Sequence, residues 1–249
     1  MSGHSKWSKV KHFKGAVDTK RSKLFTKLVR EITVAARLGV PDPDANARLR
    51  LAIQTARDNS MPKDTVERAI KKATGAGEDF NYEEVLYEGY GPGKFAVVVE
   101  AMTDNRNRTA SVIRTVFNKG GGTLGSSNSV LFLFERKGTI LVPNAGLTED
   151  QLTEHVLEAG GDDIQDLGEE FLVTCALEAF GAVRAYLESK QVRIKSAGLE
   201  RVPTTKIMLE TQEAAEKALA FLSALEDEDD VQNVYANFDI PDAVLARLS

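Results

Sequence analysis

The sequence changes character at Gly75-Ala76-Gly77, and this change divides any fold that the chain can adopt. Before it, apolar residues recur at helical spacing, and residues 1–75 contain 17 Lys and Arg against 7 Asp and Glu. After it, short runs rich in Val, Tyr and Phe predict strands, and the charged residues reverse to 15 basic against 30 acidic. The net charge of −5 therefore conceals a basic helical part and a larger acidic body.

Three helices are predicted between residues 20 and 75. The first is expected to end at Gly39. The second is expected to run from a cap at Asp44 to Asp58, and the third to begin at Pro62 and end at Gly75. These helices predict a small N-terminal domain with its own core.

The acidic body predicts two units that combine strands with helices. A hairpin is expected over residues 83–102, followed by a helix to Asn118 and a strand at residues 130–134. From residue 139, the order strand, helix, two strands, helix, strand is typical of a ferredoxin-like unit, with its last strand near Ile194. Residues 206–238 are expected to return to the sheet that begins at residue 83.

The predicted fold class is therefore α+β, with three domains: an N-terminal three-helix domain followed by two α/β sandwich domains, one of them ferredoxin-like. The expected boundaries are 1–77 for the basic arm and three-helix domain, 80–134 with 203–249 for a discontinuous α/β domain, and 135–202 for an inserted ferredoxin-like domain. Such a chain is long enough for each part to bury a core.

The basic arm, residues 6–14, interleaves four lysines with the only tryptophan of the chain and a phenylalanine. Lysines neutralise phosphates, and aromatic rings stack on exposed bases, so this pattern favours binding of RNA or unpaired DNA. The alternative is a solvated tail whose rings pack on the helix that follows. The first helix extends the pattern, because its cations lie on a different face from its leucines.

These features predict a nucleic-acid-binding surface. Its predicted residues are Lys6, Trp7, Lys9, Lys11, His12, Phe13, Lys14, Lys20, Arg21, Lys23, Lys27, Arg30 and Arg37. Secondary contact candidates are Arg48, Arg50 and Arg57 on the second helix and Asn105, Arg106 and Arg108 at the start of a later helix. The second group has an alternative interpretation as ordinary surface and capping residues.

Catalytic and metal-binding patterns are weak. The string at residues 120–125 matches G-x-G-x-x-G, but it follows a predicted helix and precedes a strand, which is the reverse of a dinucleotide site. The three histidines form no spaced ligand pair, and Cys175 is expected to be a packing residue. The acidic run, Glu226–Asp230, lacks calcium-loop spacing and is expected to close a helix and repel polyanions. We therefore expect no enzymatic activity, no catalytic residue, no cofactor and no metal.

The longest apolar runs are far shorter than a membrane span, and the basic start lacks the apolar core of a signal peptide. A cytoplasmic, bacterial-type location is expected, with the mitochondrial matrix as the alternative, because a basic and acid-poor start also resembles a transit peptide. The expected oligomeric state is a monomer or weak dimer.

The chain resembles the YebC/PmpR family over nearly its whole length. The matching strings are Gly3–Trp7, Phe25–Ile32, Pro41–Pro43, Asn46, Leu49–Ile53, Met61–Asp64, Tyr87–Gly93 and Thr103–Thr109. Lys94 and Asn128 stand where that family usually has glycine, and Ala47 where proline is frequent.

This resemblance implies three domains in a cytoplasmic bacterial protein, with mitochondrial relatives that activate translation. The family is commonly described as probable DNA-binding transcriptional regulators, and members have also been tied to translation on the ribosome. The expected function is a nucleic-acid-binding regulator of gene expression; the alternative is a translation factor, associated with the ribosome or ribosomal RNA, that relieves stalled synthesis. Expected partners are double-stranded DNA or ribosomal RNA, and a protein partner for the acidic body, but no membrane.

Overall fold

The computed structural model describes residues 17–75, 82–144 and 146–248. Helices come first in the described chain, and two four-stranded sheets with associated helices follow, together with a two-stranded sheet that pairs Ile207–Met208 with Phe238–Asp239, so the predicted α+β class is confirmed. The elements are α1 Val17–Leu38, α2 Ala47–Asp58, α3 Lys63–Thr74, β1 Glu83–Tyr90, β2 Ala96–Thr103, α4 Arg106–Lys119, β3 Thr123–Leu124, a 3-10 turn Leu131–Leu133, β4 Phe134–Pro143, α5 Glu149–Ala159, β5 Asp163–Asp166, β6 Glu170–Cys175, α6 Phe180–Ser189, β7 Ser196–Pro203, β8 Ile207–Met208, α7 Gln212–Glu226, β9 Val231–Ala236, β10 Phe238–Asp239 and α8 Asp242–Leu245.

Helices α1, α2 and α3 form the helical unit, whose core joins Ile32 of α1 to Leu49 of α2 and Val66 of α3. The expected cap of α2 at Asp44 is wrong, because Asn46 caps this helix. The Asn46 side chain accepts a hydrogen bond from the Leu49 N–H at 3.0 Å and donates to the Ala35 carbonyl at 2.8 Å. Only Asn46 has both the acceptor and the donor needed to cap α2 and hold it against α1.

The central unit contains the sheet β3-β1-β2-β9, with β1, β2 and β9 antiparallel to their neighbours. Its core lies between this sheet and helices α4 and α7, where Phe95, Phe117 and Phe221 are buried with edge-to-face contacts between their rings. Strand β9 pairs with β2 although it lies near the far end of the chain. The segment that forms the ferredoxin-like unit is therefore inserted between these two strands in the sequence.

The ferredoxin-like unit follows the order β4, α5, β5, β6, α6, β7, and its antiparallel sheet has the order β5-β6-β4-β7. Helices α5 and α6 cover one face, where Leu152, Val183 and Leu187 are fully buried. The strand expected near Ile194 lies slightly later, at Ser196–Pro203, and Ile194 packs against the core from the preceding loop.

The expected strand at residues 130–134 is wrong, because this segment forms a 3-10 turn before β4 begins at Phe134. The cause is Glu88 of β1, which is only 5% exposed. Its carboxylate accepts hydrogen bonds from the N–H groups of Asn128, Val130 and Leu131 at 2.6, 3.0 and 2.8 Å. Because these N–H groups bind a carboxylate, they cannot enter a strand ladder.

A polar network joins the central and ferredoxin-like units. Glu100 of β2 accepts hydrogen bonds from Arg201 Nε of β7 at 2.9 Å, Asn233 Nδ2 at 3.0 Å and the Tyr235 hydroxyl at 3.1 Å. The Arg201 side chain is 12% exposed, so water could not solvate its charge in place of the Glu100 carboxylate. Burial and the nearby Glu100 charge raise the pKa of Tyr235 well above its usual range, which keeps its hydroxyl a donor.

We expect Glu100→Gln to lower the free energy of unfolding by about 2 kcal/mol, because it removes the carboxylate that pairs with Arg201 in a largely dry interface. Denaturation monitored by calorimetry measures the loss. Glu213→Gln is the matched control, since it breaks an exposed pair with Lys217 within one helix and is expected to leave the melting temperature unchanged. Equal effects of the two substitutions would contradict the role given to Glu100.

Lys94 and Asn128 have left-handed backbones, with φ of 65° and 63°. The resemblance described above implies glycine at both positions. We expect Lys94→Gly to raise stability by about 0.5 kcal/mol, because relief of the backbone strain slightly exceeds the entropy that glycine adds to the unfolded chain. Asn128→Gly should change stability less, because asparagine tolerates this conformation better. Thermal melting of both variants tests this ranking, which a larger gain for Asn128→Gly would contradict.

Candidate nucleic-acid interface

The predicted nucleic-acid-binding residues divide between the basic arm and α1. Lys6, Trp7, Lys9, Lys11, His12, Phe13 and Lys14 lie outside the described residues. Lys20 belongs to α1, but its side chain is also outside the described part of the chain. The geometry of the interface is therefore built from Arg21 onward.

Two lysines on α1 contact the acidic run, Glu226–Asp230, at the end of α7. Lys23 Nζ lies 2.9 Å from the Asp227 carboxylate and donates to the Asp227 carbonyl at 3.1 Å. Lys27 Nζ donates to the Glu226 carbonyl at 2.9 Å. The acidic run closes α7 as expected, but it also faces the cations that were expected to meet a polyanion.

Arg30 continues this contact one turn further along α1. Its Nη1 donates to the Asp229 carbonyl at 2.7 Å and the Met102 carbonyl at 3.1 Å, and it lies 3.4 Å from the Asp230 carboxylate. Its side chain is 13% exposed, and its guanidinium lies over the Tyr82 ring at 5.2 Å. Lys23, Lys27 and Arg30 are here called the cationic stripe.

The electrostatics of α7 explain why the cationic stripe lies there. The last carbonyls of a helix have no partner inside it, and the helix dipole concentrates negative charge at this end. Helix α7 has no basic residue in its own last turn, and the acidic run adds carboxylates to its carbonyls. The cationic stripe supplies the missing donors from α1, so it caps α7 across the boundary between the helical and central units.

Asp230, the last residue of the acidic run, contacts side chains of α1, β2 and α4. Its carboxylate accepts hydrogen bonds from Thr109 at 2.6 Å, Thr103 at 3.1 Å and Arg108 at 3.0 Å. Burial opposes the ionisation of Asp230, but these hydrogen bonds outweigh burial and hold its pKa below the usual value. The acidic run is thus anchored to β2 and α4 at one end while it meets α1 along its length.

The secondary candidates at the start of α4 have mixed positions. Asn105 caps α4 by accepting a hydrogen bond from the Arg108 N–H at 3.0 Å. Arg108 bridges Asp104 and Asp230 at 2.7 and 3.0 Å, and Arg106 is exposed. Asn105 and Arg108 therefore have structural contacts that account for them, and a nucleic-acid role for all three stays a prediction.

Arg48 is part of the contact between units rather than of a free surface. Its guanidinium binds Glu31 of α1 at 2.8 Å and also Glu84 of β1. Burial alone would lower the pKa of Arg48. The hydrogen bonds to Glu31 and Glu84 outweigh burial, so the pKa of Arg48 lies above its usual value. At the other end of α2, Asp58 lies 3.2 Å from Arg184 of α6, so α2 contacts both other units.

The remaining cations of the predicted surface are exposed. Arg21 and Arg37 are exposed on α1, and Arg50 and Arg57 on α2. Arg21 covers the ring of Phe25 at 5.3 Å, and both residues line a shallow groove of about 540 Å³ on α1. Phe25 is partly buried and packs against the core of the helical unit, and its position one turn after Arg21 is the sequence signal for an arginine–ring pair.

Metal and thiol chemistry find no support in the described geometry. Within residues 17–75, 82–144 and 146–248, no three His, Cys, Asp or Glu side chains are grouped to hold a metal ion. Cys175 is fully buried, and burial raises the pKa of its thiol to about 11. In the same part of the chain, none of the helices combines the length and the apolar character that a membrane crossing requires.

We expect Asp230→Asn to destabilise the protein by about 2 kcal/mol at pH 7, because it weakens charged hydrogen bonds to three side chains. The native pKa of Asp230 is lowered, so its contribution is complete above the unfolded pKa of about 3.9 and is lost as pH falls through the native value. The difference in melting temperature between wild type and Asp230→Asn should therefore shrink between pH 5 and pH 2. A difference that stays constant over this range would contradict the assignment.

Comparison with known proteins places the whole chain in one group. Residues 5–76 match the family model described as the TACO1/YebC protein N-terminal domain, and residues 82–238 match the TACO1/YebC second and third domain. A protein of Syntrophobacter fumaroxidans named "Probable transcriptional regulatory protein" is 50% identical, with all of both chains covered. A protein of the same name from Trichlorobacter lovleyi is 52% identical over 96% of each chain.

A solved structure shares the fold. It is the crystal structure of a conserved hypothetical protein from Aquifex aeolicus, with a TM-score of 0.86 and 47% sequence identity. The match covers 96% of this chain and 98% of that one. The match includes the helical, central and ferredoxin-like units, so the Aquifex aeolicus protein shares their arrangement.

Proposed function

Because this chain belongs to the TACO1/YebC family, we propose that it is a nucleic-acid-binding regulator of gene expression. The relatives' name, "Probable transcriptional regulatory protein", supports regulation. The binding surface in this proposal is the helical unit with its basic arm, and the proposed role is binding rather than catalysis.

The observation that carries the proposal is the separation of charge between units that have separate cores. The basic residues concentrate in the helical unit, whose core is formed by α1, α2, α3 and the turn at Met61. Arg21, Arg37, Arg50 and Arg57 are exposed there, and the lysines of the basic arm precede them in sequence. A cationic unit attached to an anionic body attracts a polyanion to one end of the molecule and repels it from the other.

The second candidate is a translation factor that binds ribosomal RNA, and a specific pair of residues favours it. The Phe25 ring lies in an open groove beneath the Arg21 guanidinium, next to the end of α1 that carries the arm with Trp7 and Phe13. Aromatic and arginine planes bind unpaired bases by stacking, and unpaired bases are common in folded RNA. Duplex DNA offers such bases only after distortion.

Salt dependence tests the proposed surface. Replacing Lys6, Lys9, Lys11 and Lys14 with glutamine should weaken binding and reduce the slope of log affinity against log salt by about 3 on a single strand, because each phosphate contact releases counter-ions. The control replaces four lysines of the acidic body, Lys119, Lys190, Lys206 and Lys217, which removes the same charge elsewhere. An unchanged slope in the arm variant would overturn the assignment of the arm.

The two candidates separate in a competition at about 0.15 M salt, near physiological ionic strength. Labelled full-length protein is offered purified ribosomes and an excess of genomic double-stranded DNA. Retention on ribosomes that depends on the four arm lysines favours the translation factor, whereas retention on DNA favours the transcriptional regulator. Binding to neither would contradict both.

A further inference from the structure

We propose that the acidic run, Glu226–Asp230, is a built-in competitor of nucleic acid: it covers the cationic stripe of α1, and the stripe reaches phosphates only when the helical unit separates from the end of α7. This inference rests on the proposed nucleic-acid-binding function. In this proposal the exposed arginines of α1 and α2 contact nucleic acid first, and the cationic stripe contacts it only after the helical unit separates from α7.

The contacts of the acidic run resemble those of a phosphate backbone. Carbonyl and carboxylate oxygens lie 2.7 to 2.9 Å from the terminal nitrogens of Lys23, Lys27 and Arg30, which is the distance range of a charged hydrogen bond to a phosphate oxygen. Arg30 is 13% exposed, so a phosphate cannot reach its guanidinium while the acidic run stays in place. A bound strand would also place its charge beside five consecutive acidic residues. Binding at the stripe and the closed contact therefore exclude each other.

The contact can open without exposing the core of the helical unit. The buried core of the helical unit is formed by its own helices and Met61, and the cationic stripe adds no residue to it. The other described contacts between this unit and the rest are mostly polar: Arg48 with Glu84, and Asp58 with Arg184. Among the described core clusters, Leu51 is the residue of this unit that packs against the core of another, the ferredoxin-like unit. Polar interfaces between units of one chain separate more readily than apolar ones.

The exposed part of the contact exchanges readily, whereas Arg30 and Asp230, whose side chains are each 13% exposed, separate only where nucleic acid replaces the lost contact. Lys23 and Asp227 are 39% and 67% exposed, and exposed ion pairs contribute little to stability. Nucleic acid offers the same cations a line of phosphates and releases counter-ions when it binds. A polyanion that first attaches to the basic arm and the exposed arginines is held close to the stripe at high local concentration. The acidic run then lowers the affinity for short or weakly charged ligands more than for long strands.

A reversible cross-link tests the competitor in the full-length chain. Lys23→Cys with Asp227→Cys places thiols on both sides of the contact, and the natural Cys175 is buried with a raised pKa, so it should react slowly. A short bis-maleimide with a central disulfide locks the closed form, and a reductant opens it without changing the sequence. Affinity for a labelled oligouridine strand and for a DNA duplex of equal length is measured before and after reduction.

We expect the locked protein to bind the strand about tenfold more weakly than the same protein after reduction, a coupling typical of two linked sites. The control is Glu213→Cys with Lys217→Cys, which bridges one turn of α7 and should leave the affinity unchanged on locking. Equal affinity of the locked and reduced forms would overturn the competitor and leave the proposed function intact. Failure of the wild-type chain to bind either probe would overturn both.

A charge reversal gives a second measurement that needs no cross-link. Asp227→Lys should tighten binding more than Glu213→Lys, because both add the same charge to the region of α7 but only the first removes a contact with the cationic stripe. Equal tightening would show a general effect of net charge and would count against the competitor. The comparison is made at two salt concentrations, since the difference should shrink as salt screens the contact.

Discussion

The position of the helical unit depends on the end of α7. Helix carbonyls and the carboxylates of the acidic run place negative charge there, and residues of the central unit neutralise only part of it. Asp230 is bound from within by Thr103, Thr109 and Arg108. Glu226, Asp227 and Asp229 offer carbonyls that no residue in the last turn of α7 can satisfy. The cationic stripe of α1 meets this need, so the charge imbalance of one unit positions another.

The same contact changes the functional meaning of the basic residues. A stripe of cations on a different helix face from the leucines indicates a polyanion, and in the structure the anionic partner of that stripe is the protein's own acidic run. The exposed arginines of α1 and α2 and the basic arm then become the surface for first contact with nucleic acid in the proposed function. The acidic body, which accounts for the negative net charge, acts in this proposal as the part that nucleic acid must displace.

Much of the fold could be predicted from the sequence because, in most elements, residue periodicity and capping residues favour the same structure that tertiary packing produces. Asn105 caps α4, and the expected hairpin over residues 83–102 forms from β1 and β2. The failures have long-range causes. Asp and Asn are both favourable N-cap residues, so the sequence does not distinguish Asp44 from Asn46. Asn46 is the cap because its amide also donates a hydrogen bond to the Ala35 carbonyl of α1. Residues 130–134 have strand composition, but the Glu88 carboxylate, distant in sequence, removes their N–H groups from any ladder.

By itself, the sequence determined the separation into a basic helical part and an acidic α/β body, the class of fold and the family resemblance, because these depend on periodicity, composition and ordered strings. Only the tertiary structure decided which cations are covered, because a helical wheel gives the face of a residue but not what lies opposite that face. It also decided that Arg201 reaches Glu100 from another unit. Pairing between distant charges is set by packing, which no local pattern in the chain encodes.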